Sequence, residues 1–130
     1  MFHVSCFMNV LAFDIGTKRT GVAFMAEDTG VPVALDTIPH DDPSQLVKEI
    51  IKLKLSKNAG IVVLGMPLLL SGKEGKQAQY VKNIGEILRK NGVKVIYVDE
   101  RYTTPKMIGI DKNSASACNI LAIYKDQVNS

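Results

Sequence analysis

Apolar residues near the start of the chain follow the pattern of strands. The run Asn9–Ile15 predicts a buried strand that carries one carboxylate, Asp14, near its end. Turn-forming residues occupy positions 16–19, and residues 20–25 predict a second strand. Residues 33–38 predict a third strand, so we expect the chain to open with an antiparallel meander.

The first helix is predicted from a start signal and from helical spacing. Asp42 is a capping carboxylate placed directly before a first-turn proline, Pro43. Apolar residues then recur at intervals of three and four over residues 44–56. Gly60 is expected to end this helix.

Two further helices are predicted in the second half of the chain. Ser71 and Glu74 form a capping-box pattern that is expected to open a helix, which Asn91 and the glycine after it stop. Residues 114–127 predict the other helix from their apolar spacing.

The short, wholly apolar run of residues 61–64 is typical of a strand that is covered on both faces, and residues 93–98 predict another buried strand. The order of elements is therefore β-β-β-α-β-α-β-α. It predicts an α/β fold of three layers, in which helices flank a central mixed five-stranded sheet. The first three strands are expected to be antiparallel, and the fourth and fifth parallel. With 130 residues, we expect one domain spanning residues 1–130.

The composition is that of a soluble globular protein, with 46% hydrophobic and 22% charged residues, which argues against disorder. The longest apolar stretch, residues 61–70, contains Gly65 and Pro67 and is too short to cross a bilayer. The start of the chain lacks a secretory signal, and Cys6 and Cys118 have neither metal-ligand nor disulfide spacing. We therefore expect a cytoplasmic location and no membrane partner.

The net charge is only +3, but it is unevenly distributed. Residues 45–90 hold nine basic residues against three acidic ones, whereas the first 44 residues hold two against six. This distribution is compatible with a surface that faces a polyanion. The alternative is that the lysines of residues 48–57 are only the solvated face of a helix.

Two carboxylates, Asp14 and Glu100, each lie at the C-terminal end of a predicted strand. Ligands of open α/β sheets gather outside these strand ends. Two acidic groups that converge there repel each other unless a cation lies between them. Mg²⁺ suits this position because it takes carboxylate oxygens and bridges to phosphate. The alternatives are a turn-capping role for Asp14 and a surface ion pair between Glu100 and Arg101.

The turn after Asp14 has the residue types of a phosphate-binding turn. In a β-turn-β unit, Gly16 and Thr17 would place backbone N–H groups and a hydroxyl beside a metal-bound phosphate. Lys18 and Arg19 at the tip would hold a neighbouring phosphate. The alternative is that they are two exposed charges on a hairpin.

Three stretches of the chain together resemble one known family. They are Asp14-Ile15-Gly16-Thr17-Lys18-Arg19-Thr20-Gly21-Val22-Ala23, Leu64-Gly65-Met66-Pro67-Leu68 and Asp99-Glu100-Arg101-Tyr102-Thr103-Thr104. They are similar to the three motif blocks of the YqgF family, which are Holliday-junction-resolvase-like proteins described as pre-16S rRNA nucleases. The resemblance runs from residue 9 to about residue 124.

This resemblance implies an RNase H-like fold and hydrolysis of phosphodiester bonds by a two-metal-type mechanism, with Mg²⁺ or Mn²⁺ as cofactor. It implies a role in ribosome biogenesis, on structured RNA at the 5′ end of pre-16S rRNA. By position, Asp14 and Glu100 correspond to the first two active-site acids. The residues expected to contact nucleic acid are Gly16, Thr17, Lys18, Arg19, Arg101, Thr103 and Thr104.

The sequence departs from the family pattern where the third acid is expected. That acid is an aspartate in an Asp-Ser-Ala-Ser-Ala-like stretch, and Asn113 occupies its position here. Only residues 105–112 separate this stretch from the third block, a shorter segment than is usual in relatives. Asp111 is either an alternative metal ligand or an ordinary loop aspartate. Met8 resembles the family start, so the residues before it are interpreted either as an N-terminal extension within residues 1–8 or as the result of a misassigned start codon.

Three functions are consistent with these residues. The first is a divalent-metal-dependent nuclease. The second, suggested by Asn113, is a nucleic-acid-binding relative with impaired catalysis. The third is a Holliday-junction resolvase that acts on branched DNA and forms a homodimer, because junction cleavage needs two active sites. An ATP-binding domain of the actin-like type would need a second domain. His3 and His40 lie outside every motif and are interpreted as incidental.

Overall fold

The computed structural model describes residues 8–67, 75–99 and 112–129. The five strands are β1 (Asn9–Ile15), β2 (Arg19–Met25), β3 (Val33–Pro39), β4 (Ala59–Met66) and β5 (Val95–Asp99). The three helices are α1 (Pro43–Ser56), α2 (Lys76–Lys90) and α3 (Lys112–Asn129). None of these described helices has the length and apolar character needed to cross a membrane.

The strands form one sheet in the order β3-β2-β1-β4-β5. Strand β2 pairs antiparallel with β1 and β3, whereas β4 pairs parallel with β1 and β5. The predicted mixed sheet is therefore confirmed. Strand β1 lies at its centre because the meander extends to one side of it and the crossover connections extend to the other.

Strand β3 contains a bulge at its centre. Thr20 of β2 pairs with Ile38 and Val22 pairs with Leu35, so residues 36 and 37 lie opposite the single residue Gly21. Such an insertion bends the strand and increases its local twist.

Alternation along the strands distributes the core between two faces of the sheet. Leu11 and Phe13 of β1 belong to the cluster that packs against α1 and α2. Val10 and Ala12 belong to the cluster that includes Cys118 and Leu121 of α3. The domain thus has the three predicted layers, and Cys118 packs as a small core residue.

The start of α1 follows the prediction, but its end does not. Asp42 accepts a hydrogen bond of 2.8 Å from the backbone N–H of Gln45, and Pro43 begins the helix. The predicted end at Gly60 is wrong. Asn58 takes the left-handed conformation, with φ 54°, that reverses the chain after the helix. Gly60 consequently lies in β4.

The predicted start of α2 is also wrong. Gly75 is the N-cap residue and has an extended backbone, with φ −95° and ψ −167°, so the helix begins at Lys76. The capping-box residues Ser71 and Glu74 lie outside the described residues. The helix ends at the predicted place, with Asn91 as its C-cap.

Helix α2 packs closely on β5 because it has a glycine where it crosses Tyr97. A Cβ atom added at Gly85 would overlap the hydroxyl oxygen of Tyr97 and lie 2.8 Å from its Cζ atom. On the same ring, the Arg89 guanidinium lies 5.0 Å from the centroid and donates a 3.0 Å hydrogen bond to the Val95 carbonyl. The tyrosine ring is therefore enclosed by the helix and its own strand.

We expect Gly85→Ala to destabilise the fold by about 1–3 kcal/mol, because overpacking displaces the ring or the helix. A destabilisation would be specific to this close packing, since Gly→Ala in an unobstructed helix stabilises the protein by up to about 1 kcal/mol. Urea denaturation of both proteins measures the difference. Removing the hydroxyl in Gly85→Ala/Tyr97→Phe should recover part of the loss. A Gly85→Ala variant as stable as the natural protein would contradict this packing.

Candidate active site

Three parallel strands end at one edge of the sheet. Phe13 of β1 is in register with Leu64 of β4, and Met66 at the end of β4 is in register with Asp99 at the end of β5. Asp14 therefore lies at the edge where β4 and β5 also terminate, as predicted. Glu100 follows Asp99 in the chain but lies outside the described residues.

The other predicted site residues of the third block, Arg101, Thr103 and Thr104, also lie outside the described residues, as does Asp111. Their assignments as nucleic-acid or metal contacts stay predictions.

Asp14 occupies a position with little side-chain volume on either side. Its antiparallel partner on β2 is Gly21. On β4, Gly65 lies two residues after Val63, the partner of Ala12, and thus on the same face as Asp14. This face is the one covered by α3, and Ser116 of α3 hydrogen-bonds to the Asp14 carboxylate. Neither of these neighbouring positions therefore places a side chain beside the carboxylate.

Burial raises the pKa of the Asp14 carboxyl above its usual range, and the hydrogen bond with Ser116 opposes this shift without cancelling it. The ionised carboxylate is therefore less stable here than in water. A cation beside it would offset this cost, because an opposite charge favours the ionised form.

The donor at Asp14 fits a hard divalent cation, since carboxylate oxygens are the ligands that Mg²⁺ takes in proteins. In the three described segments, no group of three or more acidic, histidine or cysteine side chains could hold a metal ion. Glu100 and Asp111, the other acidic ligands predicted from the sequence, lie outside these segments.

The first turn of α3 is tied to the bulge of β3. The Ser114 hydroxyl, 1% exposed, donates a 2.7 Å hydrogen bond to the Leu35 carbonyl and lies 3.4 Å from the Thr37 hydroxyl. This contact joins the start of α3 to β3, in addition to the apolar packing of the helix on the sheet. Asn113 lies three residues before Ser116, and positions three apart share a helix face.

Asn113 therefore occupies a backbone position on the face of α3 that contacts Asp14. The structure describes only the backbone of this residue, so the role of Asn113 as the third site position stays a prediction.

The predicted phosphate-binding turn closes tightly beside Asp14. The Gly16 N–H donates a 2.9 Å hydrogen bond to the Arg19 carbonyl. A Cβ atom at Gly16 would lie 2.5 Å from that same oxygen, so the turn requires glycine there. Thr17, Lys18 and Arg19 are exposed. The structure thus brings the turn and Asp14 together, and both charged side chains are accessible to a ligand.

Two contacts on the opposite face of the sheet hold this end of the hairpin. The Gln77 side-chain amide of α2 donates a 2.7 Å hydrogen bond to the Ile15 carbonyl. His40, which follows β3, lies 2.8 Å from the Thr20 hydroxyl through its Nε2 atom.

Sequence patterns did not single out Gln77, Ser116 or the His40–Thr20 pair. Each is a contact between elements that are distant in the chain. The sequence held an indirect signal for Ser116 alone, because this residue lies three positions after Asn113, the predicted third site position.

Burial lowers the pKa of His40 below its usual range, although the nearby Asp41 and Asp42 carboxylates oppose the shift. In the unfolded chain, His40 binds a proton near its ordinary pKa of about 6.5. The folded state binds fewer protons as the pH falls through that value. We therefore expect the stability to be fully present above pH of about 6.5 and to decrease below it.

Melting temperatures measured between pH 7.5 and 5.0 check this expectation. The natural protein should lose a few degrees more than His40→Gln, which has no titrating ring. Equal losses in the two proteins would show that another group dominates this range.

Comparison with known proteins decides the family. The family profile described as RuvX, Holliday junction resolvase, matches residues 8–115. The chain belongs to this family. A relative from Sulfurihydrogenibium sp. (strain YO3AOP1), named "Putative pre-16S rRNA nuclease", is 36% identical over 92% of this chain and 91% of its own length.

A relative of the same name from Chloroflexus aurantiacus (strain ATCC 29366 / DSM 635 / J-10-fl) is 32% identical over 73% of this chain. That alignment spans 63% of the relative's length. The YqgF resemblance found in the motifs is therefore confirmed.

Solved structures support the RNase H-like fold of this RuvX-family chain. RuvC of T. thermophilus, in complex with a Holliday junction substrate, superposes with a TM-score of 0.65. It covers 92% of this chain and 96% of its own, at 12% sequence identity. The fowlpox virus resolvase, in complex with Holliday junction DNA, has a TM-score of 0.58. It covers 95% of this chain and 100% of its own, at 13% identity.

Proposed function

We propose that this chain is a nuclease that hydrolyses phosphodiester bonds and processes the 5′ end of pre-16S rRNA in the cytoplasm. The observation that carries the proposal is the position of Asp14, a partly buried carboxylate at the strand ends, directly beside a turn that exposes Lys18 and Arg19. Membership of the RuvX family and the names of the relatives support the activity and the substrate.

In this proposal, Asp14 and Glu100 hold Mg²⁺ or Mn²⁺, and the amide of Asn113 or the carboxylate of Asp111 completes the site. When bound, the cation supplies Lewis-acid activation of the attacking water and neutralises charge that develops at the phosphoryl group. The neighbours of Asp14 on the two adjacent strands, Gly21 and Gly65, have no side chains that would compete with the cation for this position.

The remaining residues bind and orient. Lys18 and Arg19 neutralise phosphates that flank the cleaved bond, and Arg101 and Thr103 are proposed to contact the same backbone. Ser116 hydrogen-bonds to Asp14 and thereby fixes the orientation of its carboxylate. The hydrogen bonds from Gly16 and Gln77 hold the turn and the end of β1 in place.

Two other functions have an observation in their favour. Asn113 removes an anionic ligand, which favours a nucleic-acid-binding relative that has lost catalysis. The description of the matching family favours cleavage of branched DNA by a homodimer.

A cleavage assay separates these functions. The natural protein is incubated with a 5′-extended small-subunit rRNA precursor or a four-way DNA junction, in Mg²⁺, Mn²⁺ or EDTA. We expect metal-dependent cleavage of the RNA. Cleavage of the junction alone, with a dimeric mass in sedimentation, would establish the resolvase function. Salt-dependent binding of either substrate without cleavage in any metal would establish the binding function.

A further inference from the structure

A buried polar pair lies beneath the basic turn, on the face of the sheet opposite Asp14. Thr20 is fully buried and His40 is 3% exposed. The Thr20 hydroxyl and the His40 Nε2 atom are 2.8 Å apart. Thr20 pairs with Ile15 across the antiparallel ladder, so the pair lies at the level at which the turn leaves the sheet.

His40 contacts the turn through its backbone as well. Its N–H donates a 2.9 Å hydrogen bond to the Lys18 carbonyl. The residue thus holds the chain at positions 18 and 20, on both sides of Arg19. Within the turn itself, the Gly16 N–H donates a hydrogen bond to the Arg19 carbonyl. These three hydrogen bonds leave the backbone of Lys18 and Arg19 little freedom, although their side chains are exposed.

We propose that His40 is a positioning residue for nucleic-acid binding: through Thr20 and the Lys18 carbonyl, it fixes the turn so that Lys18 and Arg19 contact two neighbouring phosphates together. This inference rests on the proposed function, in which the two cations bind the phosphate backbone.

The chemistry of His40 argues for a role beyond filling space. Its Nδ1 atom is buried and has no hydrogen-bond partner in the described part of the chain. Burying an unsatisfied polar atom is unfavourable, and an apolar side chain of similar size would avoid that cost. The feature that an apolar side chain would lose is the hydrogen bond to Thr20.

Rigidity of the turn matters because ordering a flexible loop on binding reduces affinity. A turn already fixed in the free protein presents both cations without that penalty. Loss of the fixing contact should therefore weaken phosphate binding even when Lys18 and Arg19 are both present.

The test measures affinity for a labelled 5′-extended rRNA fragment as a function of salt, in EDTA so that no metal-dependent cleavage intervenes. The variants are His40→Ala, His40→Gln and Thr20→Val, with Lys18→Ala and Arg19→Ala as references. Each phosphate contact contributes about 0.9 to the slope of log K against log salt for duplex nucleic acid and about 0.7 for single strands.

We expect His40→Ala and Thr20→Val to weaken binding by about three- to tenfold and to lower the slope by about 1, as Lys18→Ala does. His40→Gln, which can place an amide near the Nε2 position, should recover most of the affinity. The control is Ile50→Ala, a core substitution on α1 that lowers stability without touching the turn and should keep the natural slope.

The slope separates positioning from general destabilisation, which lowers the folded fraction but leaves the number of phosphate contacts unchanged. If His40→Ala does not fold, Thr20→Val decides the question because it keeps the side-chain shape and removes the hydroxyl. A natural slope in Thr20→Val and His40→Ala, with a lowered slope in Lys18→Ala, would overturn the inference and leave the nuclease proposal intact. A natural slope in Lys18→Ala and Arg19→Ala as well would show that the turn binds no phosphate, and would overturn both roles.

Discussion

Asp14→Asn should reduce cleavage by orders of magnitude and at the same time raise the thermal stability of the protein. The amide keeps the shape of the side chain but lacks the negative charge that the proposed cation needs. Loss of such a ligand removes several kcal/mol of transition-state stabilisation, so the rate should fall on the order of 10³-fold.

The gain in stability follows from the environment of Asp14. Its pKa is raised by burial, which means that the ionised form carries a cost in the folded state at neutral pH. That cost is fully present above the folded-state pKa, decreases as the pH falls below it, and is gone only below the ordinary carboxyl pKa of 3.8. The asparagine variant never carries the cost, so its advantage in melting temperature should be largest at neutral pH and shrink in acid.

Melting temperatures in EDTA from pH 7.5 to 4.0, together with cleavage rates, test both parts. The matched control is Asp36→Asn, which removes an exposed carboxylate of β3 and should leave both quantities near their natural values. An Asp14→Asn protein that cleaves at the natural rate would contradict the assignment of Asp14. An Asp14→Asn protein with a lower melting temperature than the natural protein at neutral pH would contradict the claim that ionised Asp14 destabilises the fold.

The second large effect is expected from Asn113→Asp, which should raise cleavage by at least about tenfold, equivalent to about 1.4 kcal/mol. Position 113 shares a face of α3 with Ser116, which contacts Asp14. A carboxylate there would add an anionic ligand to a site that has an amide at this position.

The same substitution should change how metal affects stability. Without metal, a second carboxylate near Asp14 repels the first and should lower the melting temperature. With Mn²⁺ the order should reverse, because a ligand that binds the folded state stabilises it by mass action. The readout is therefore the rise in melting temperature between EDTA and millimolar Mn²⁺, which should be larger in Asn113→Asp than in the natural protein.

Asp111→Asn is the companion variant for this prediction. If Asp111 already supplies the third carboxylate, Asp111→Asn loses activity and Asn113→Asp gains none, which would contradict the expected increase. If both variants behave as the natural protein does, the third ligand lies elsewhere.

Much of the fold was predictable because it depends on local patterns. The apolar run of β1 predicted its bounds without error, and the Asp42-Pro43 signal located the start of α1 to within one residue. The errors concern the end of α1 and the start of α2, where the backbone conformation of a single residue determines the helix boundary. Gly60 was expected to end α1, but Asn58 adopts the left-handed conformation that follows the helix. The extended backbone of Gly75 places the start of α2 at Lys76, later in the chain than predicted.

The candidate site was predictable only in part, for a physical reason. Asp14 and its turn are contiguous in sequence, so their chemistry could be recognised together. Ser116, Gln77 and His40 reach this end of β1 and the turn from three other segments, and their partners are defined by the packing of α3, α2 and β3 on the hairpin. No spacing rule along the chain contains that information.

The bulge in β3 affects whether two copies of the protein can associate through the edge of the sheet. Among the described strands, β3 is, like β5, bonded on one side only, and an open strand edge is a template for edge-to-edge aggregation. Three features oppose such pairing: the bulge interrupts the row of backbone groups, Asp36 places an exposed carboxylate within it, and Pro39 lacks an N–H. We therefore expect a dimer formed for junction cleavage to use a surface other than the β3 edge.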